Sequence, residues 1–262
     1  MGLFFWVIGY LLIKKLFLGV WTNGVVKLIF LTYTQSSCIY SHVILVNSRI
    51  NERQYKHYNG KFMSKTALDI VHRHSILGSE VRNQFFSENG EKLISLSKAA
   101  AVCLARGGKI MFCGNGGSAA DCQHLAAEFV NRFCMERPPL PALALTTDSS
   151  ILTAISNDYS FMEVFAKQVK ALGAEGDMLV GISTSGNSPN VREAVIQARE
   201  KEIITVGMTG SGGRSILEFC EFGLIVPSDD TPIIQEVHIA AGHMICYLVD
   251  HFLFEAVGEL DL

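Results

Sequence analysis

From residue 63 onward the sequence predicts a doubly wound α/β fold: a five-stranded parallel sheet flanked by helices, with N-terminal helices before it and a long C-terminal helix after it. Three observations predict it. Apolar runs of strand length recur at residues 109–113, 142–146, 178–183, 203–208 and 222–226. Helical stretches separate most of them, which implies right-handed crossovers and a parallel sheet covered on both faces. No repeat, low-complexity tract or linker interrupts residues 63–262, so one domain is the economical count.

Taken in order, residues 67–106 read as two helices, because Leu93, Ile94, Leu96, Ala99, Ala100 and Cys103 recur at three- and four-residue spacing. Gly107 and Gly108 end that pattern. Further helices are expected at about residues 118–133, 160–172, 189–201, 214–219 and 232–255.

The first sixty residues differ from the rest. Large apolar side chains dominate residues 1–46, with Lys14, Lys15 and Lys27 interrupting. No positive segment precedes the apolar run, unlike a secretory signal. The uncharged stretch before Lys14 is shorter than the roughly 18 to 20 residues a bilayer needs. Two readings stand: a membrane-associating leader, or an extension upstream of a translation start at Met63. The second is preferred, because residues 63–262 form a self-contained segment of domain size.

Composition narrows the function classes. A formal charge of −3 over 262 residues gives no basic field of the kind nucleic-acid binders use, so nucleic acid is not an expected partner. The seven cysteines form no C-x-x-C pair, which argues against a disulfide framework or zinc ribbon and fits a reducing compartment.

In an open α/β sheet, ligands bind beyond the carboxyl ends of the strands, where the strand order reverses. The motifs cluster at such ends. The first strand runs into Gly114-Asn115-Gly116-Gly117-Ser118, where glycines permit a tight turn and Ser118 can cap the next helix. Backbone N–H groups at a helix start suit a phosphate. The loop matches neither the nucleoside-triphosphate P-loop nor the G-x-G-x-x-G fingerprint, so those ligands are disfavoured. The third strand ends in Ser183-Thr184-Ser185-Gly186-Asn187-Ser188, four hydroxyls just ahead of a helix opening near Pro189. This is a second candidate anion cradle, with a capped polar loop as the plainer alternative.

His124 and Glu128 lie at i and i+4 and share one helix face. The spacing suits a base beside a phosphate or two metal ligands, although a surface pair is its commoner meaning. On the final helix Gln235 and His243 are separated by about 80° around the axis and roughly 12 Å along it. They can face one cleft, yet meet at one atom only with long side chains, a bent first turn, or contributions from two subunits. His238 reads as structural.

Together, residues 113–133 (CGNGGSAADCQHLAAEFVNRF), Ser156-Asn157-Asp158-Tyr159, residues 181–190 (GISTSGNSPN), and Gln235-Glu236-Val237-His238 with His243 resemble the SIS (sugar isomerase) domain of phosphoheptose isomerases. The resemblance spans about residues 64–255. It implies a flavodoxin-like fold and an aldose–ketose isomerase that converts sedoheptulose 7-phosphate to D-glycero-D-manno-heptose 7-phosphate, feeding the heptose branch of lipopolysaccharide or related glycans. By the same resemblance, Ser183, Thr184, Ser185 and Ser188 hold the phosphate, with Asn115, Gly116, Gly117 and Ser118 as the opposite wall. Asn157 and Asp158 match the family's Asn-Asp pair that contacts the sugar, and Glu128 and Gln235 match further substrate-binding positions.

Glu128 and His243 match the family's acid/base pair, and His124, Glu128, Gln235 and His243 match a zinc site found in part of the family. A cytoplasmic homotetramer with clefts at subunit interfaces is implied as well. The chemistry agrees with the residue types, since moving a carbonyl between C2 and C1 through an enediol needs a carboxylate base and a histidine near neutral pKa. The alternative is a non-catalytic SIS protein of the replication-initiator-associating type, which has no need to bring His124, Glu128, Gln235 and His243 together. A SIS regulatory domain is weaker, since no DNA-binding module is attached.

Overall fold

The computed structural model describes residues 3–10, 13–22, 25–34, 37–46, 66–213 and 215–260. The chain splits into two compact units, Met1–Ala67 and Leu68–Leu262. In the first, four strands form an antiparallel sheet in sequential order: β1 (Leu3–Tyr10), β2 (Ile13–Thr22), β3 (Val25–Thr34) and β4 (Ser37–Val46). The abundance of Val, Ile, Phe and Tyr there suits strands. The sequence reading assigned no sheet to this stretch. The start expected at Met63 lies outside the described residues.

The second unit opens with α1 (Ala67–Ala105), one unbroken helix of 39 residues where two were expected. It runs through Gly78 and Gly90 because an isolated glycine in a helix costs only about 1 kcal/mol, and packing further along the helix offsets that. Val81, Phe85, Leu93, Leu96 and Ala100 are buried. Gly107, at φ 85°, then turns the chain into the sheet.

The remaining elements are β5 (Ile110–Gly114), α2 (Gly117–Val130), β6 (Ala142–Ala144), α3 (Ser149–Asp158), α4 (Ala166–Leu172), β7 (Met178–Ser183), α5 (Pro189–Glu200), β8 (Ile204–Gly210), β9 (Phe222–Val226) and α6 (Thr231–Asp250). All five predicted strands are present, with edges shifted by up to two residues. Two helix expectations need correction. The stretch expected as one helix at 160–172 keeps only α4 and a 3-10 turn at Phe161–Glu163, and that expected at 214–219 reduces to a 3-10 turn at Leu217–Phe219. α3 was missed, although Asp148 caps it by accepting the Ile151 N–H at 2.9 Å.

The sheet is wholly parallel in the order β6-β5-β7-β8-β9. Side chains alternate between its two faces. Ile110 and Phe112 of β5 join Leu96, Leu125, Phe129 and Val237 in a core beneath α1, α2 and α6. Met111 and Cys113 join Val169, Val191 and Val195 beneath α4 and α5 on the other face. The chain order reverses between β5 and β7, and this opens a crevice at their carboxyl ends.

Candidate active site

Both hydroxyl- and glycine-rich loops leave the sheet at that crevice. After β7, Ser183 is buried, and its Oγ lies 2.9 Å from Ser188 Oγ and 3.4 Å from Ser185 Oγ. The Gly186 N–H donates to Ser183 Oγ at 3.1 Å and the Asn187 N–H to Ser185 Oγ at 3.3 Å. Three of the four hydroxyls therefore converge ahead of α5, while the Thr184 carbonyl accepts from the Gly210 N–H at 3.0 Å.

The bend requires Gly186, at φ 66°, and a second glycine beneath it: a Cβ on Gly213 would fall on the Ser185 carbonyl oxygen. Ser215 Oγ donates to the Gly186 carbonyl at 2.9 Å and fastens the same bend. After β5, Gly116 takes φ 55° so that the chain can turn into α2. Gly117 is exposed and Ser118 buried at the first turn of α2. The Asn115 and Asn190 amides bond reciprocally at 2.8 Å, joining the two loops.

α2 and α6 lie side by side in the same direction. A Cβ on Gly117 would strike the Gln235 amide, and one on Gly242 would strike Leu125. Further along, His124 Nε2 and His243 Nε2 are 2.8 Å apart, and Glu128 Oε1 is 3.4 Å from His124 Nε2. Ligand atoms of His124, Glu128 and His243 all lie within 4.8 Å of one another. Burial first, then the neighbouring His124, hold His243 below the ordinary imidazole range, with Glu128 opposing. Phe133 stacks on the His243 ring at 5.3 Å. Gln235 sits at the loop end of the crevice, seven residues before the level of His124 on α2.

Asn157 and Asp158 are exposed at the end of α3 and bond each other at 2.9 Å. Among the described residues, no hydrogen bond or ion pair links them to the histidine cluster.

Sequence reading missed three supports. Phe133 and Asn190 lay inside the quoted motifs without a role. Arg137 was unmarked, yet it is buried and bonds Asp250 at 2.7 Å and the Glu128 and Phe129 carbonyls at 2.9 and 2.8 Å. The signal available was an arginine just past the end of a helix, where cations meet free carbonyls.

Comparison with known proteins agrees with this geometry. The SIS domain family model matches residues 78–210. The chain is 63% identical to the phosphoheptose isomerase of Maridesulfovibrio salexigens over 199 residues, which is 76% of this chain and 97% of that one. The phosphoheptose isomerase structure from Neisseria gonorrhoeae superposes with TM-score 0.67 at 44% identity, covering 71% of this chain and 99% of the other. That from Francisella tularensis gives 0.68 at 39%, with the same two coverages. The chain belongs to the phosphoheptose isomerase family of SIS-domain proteins.

Proposed function

We propose that this chain isomerises sedoheptulose 7-phosphate to D-glycero-D-manno-heptose 7-phosphate, supplying the first precursor of ADP- or GDP-heptose for lipopolysaccharide or related glycans. One observation carries the reading: a serine-rich loop is bonded through Asn190 to the Asn115 loop that opens α2, and α2 and α6 bring a carboxylate and two histidines together. The cradle takes the 7-phosphate through Ser183, Thr184, Ser185, Ser188 and the α5 N-terminus, with Asn115, Gly116, Gly117 and Ser118 facing it. Asn157, Asp158 and Gln235 orient the sugar hydroxyls.

Glu128 takes the proton from C1 of the ketose while His243 donates one to the C2 oxygen, giving the enediol. Return of a proton to C2 and loss of the C1 hydroxyl proton complete the aldose. Stacking by Phe133 keeps His243 in place.

The donor set of His124, Glu128 and His243, two imidazoles and a carboxylate, fits zinc, whereas Gln235, the fourth residue of the expected set, lies beside Gly117 about two helical turns away. Zinc held by these residues would supply Lewis-acid chemistry toward a substrate oxygen. A ligating Glu128 is a weaker base, so zinc content and turnover must be measured on the same sample.

The working unit is residues 63–262, located in the cytoplasm. The match to 97% of a relative within 199 residues supports that span, and six free cysteines among the described residues suit a reducing compartment. It assembles as a homotetramer with shared clefts. The exposed Leu68, Ile70, Val71 and Ile76 on α1, and Val130, Met244 and Tyr247 on α2 and α6, support assembly. Light scattering tests it, a stable active monomer being the contrary result.

Steady-state assay of the full chain with sedoheptulose 7-phosphate, metal-stripped and zinc-loaded, tests the reaction. Absence of turnover in both states refutes it.

A further inference from the structure

We infer that Asn190 is a positioning residue for substrate binding, whose buried amide fixes which hydrogen-bonding edge of Asn115 faces the crevice. The inference rests on the proposed reading of Asn115 as a wall of the substrate site. Asn190 is 2% exposed, on the first turn of α5. Its Oδ1 accepts the Val191 N–H at 3.0 Å. A backbone N–H can only donate, so this bond tells the oxygen of the Asn190 amide from its nitrogen.

The orientation then passes to the partner. Asn190 Oδ1 also accepts from Asn115 Nδ2, and Asn190 Nδ2 donates to Asn115 Oδ1, both at 2.8 Å. Asn115 thus has one N–H and one lone pair engaged, and one of each left over, in a side chain that is only partly buried. An isolated asparagine turns readily about its terminal torsion and would present either edge. The pair holds one edge, and it also ties the loop after β5 to the head of α5 across the crevice.

The test is steady-state kinetics of the full chain with sedoheptulose 7-phosphate for Asn190→Ala, Asn190→Asp, Asn115→Ala and the double alanine variant, with thermal melts to confirm folding. Asn190→Asp keeps the size and the Val191 bond but turns a carboxylate oxygen on Asn115 Oδ1, so it decides the matter where the alanine variant does not fold. For both Asn190 variants KM should rise about tenfold, as expected for a lost oriented hydrogen bond, with kcat changed by less than about threefold. Asn190→Ala should add little once Asn115 is already alanine, because it acts through Asn115.

An unchanged KM in a folded Asn190 variant, or effects of the two single alanine changes that multiply in the double, overturns the inference. Should the wild-type chain not turn over the ketose, the functional reading falls. The affinity of the same variants for inorganic phosphate, read by calorimetry, then decides the inference by the same pattern.

Discussion

Replacing Arg137 by Met should destabilise the protein by about 4 kcal/mol, because the change strands a buried carboxylate. The Arg137 and Asp250 side chains are 1% and 6% exposed, and the guanidinium also bonds the carbonyls of Glu128, Phe129 and Pro138. Breaking such a pair from one side costs roughly 3 to 5 kcal/mol, while replacing both partners by apolar groups is often near neutral. For a unit of this size that cost lowers Tm by roughly 8 to 16 °C.

The pH dependence has a definite sign. Burial pushes the Asp250 carboxyl up, and Arg137 only partly offsets it. Without Arg137 the folded-state pKa rises further, so the lost stability is greatest at neutral pH and shrinks as acid neutralises the carboxyl. Urea unfolding at pH 8 and pH 5 measures both effects. The argument fails if Arg137→Met costs less than about 1 kcal/mol at pH 8, or if Arg137→Met with Asp250→Leu is no more stable than Arg137→Met alone.

Gly242→Ala should push α6 away from α2, since the new Cβ would meet the Leu125 methyls at 2.5 and 2.6 Å. An overpacking cost of about 1 to 3 kcal/mol should come with a fall in kcat as His243 leaves His124, and stability and kinetics measured together check it. His238, which is 1% exposed, is held by burial at about 4, with the Thr209 backbone weakly opposing, and its ring nitrogens make no hydrogen bond of good geometry among the described residues. The unfolded chain therefore binds a proton below about pH 6.5 that the folded one refuses until about 4. Stability should fall with pH across that window, by about 3 kcal/mol in all, and a His238→Phe variant that still folds should lose that component in acid titration.

The sheet was legible in the sequence because its strands are buried on both faces and read as continuous apolar runs such as MLVGIS in β7. Helix boundaries were less so. Residues 67–106 read as two helices but form one, and it carries Gly78 and Gly90 in its interior, with Gly78 letting Glu236 approach. α3 was missed despite the Asp148 cap; it has no fully buried residue, although Leu152 and Ile155 pack against the second core.

At the site, sequence pattern set the two motifs on loops after strands and His124 and Glu128 on one helix face, and the family resemblance alone gave them roles. Their grouping with His243 came from the family resemblance and not from a local pattern, because it depends on the parallel packing of α2 and α6, which brings His243 Nε2 to 2.8 Å from His124 Nε2. Asn190 and Arg137 act through burial, and a single sequence does not mark which polar residues are buried.

The most direct measurement of the central claim is solvent deuterium incorporation, followed by NMR, when sedoheptulose 7-phosphate is incubated in deuterated buffer with the wild-type chain and with Glu128→Gln. The wild type should form the aldose 7-phosphate with deuterium at C2, and Glu128→Gln should form none while still binding the sugar phosphate. Aldose formation by Glu128→Gln at the wild-type rate would contradict the account.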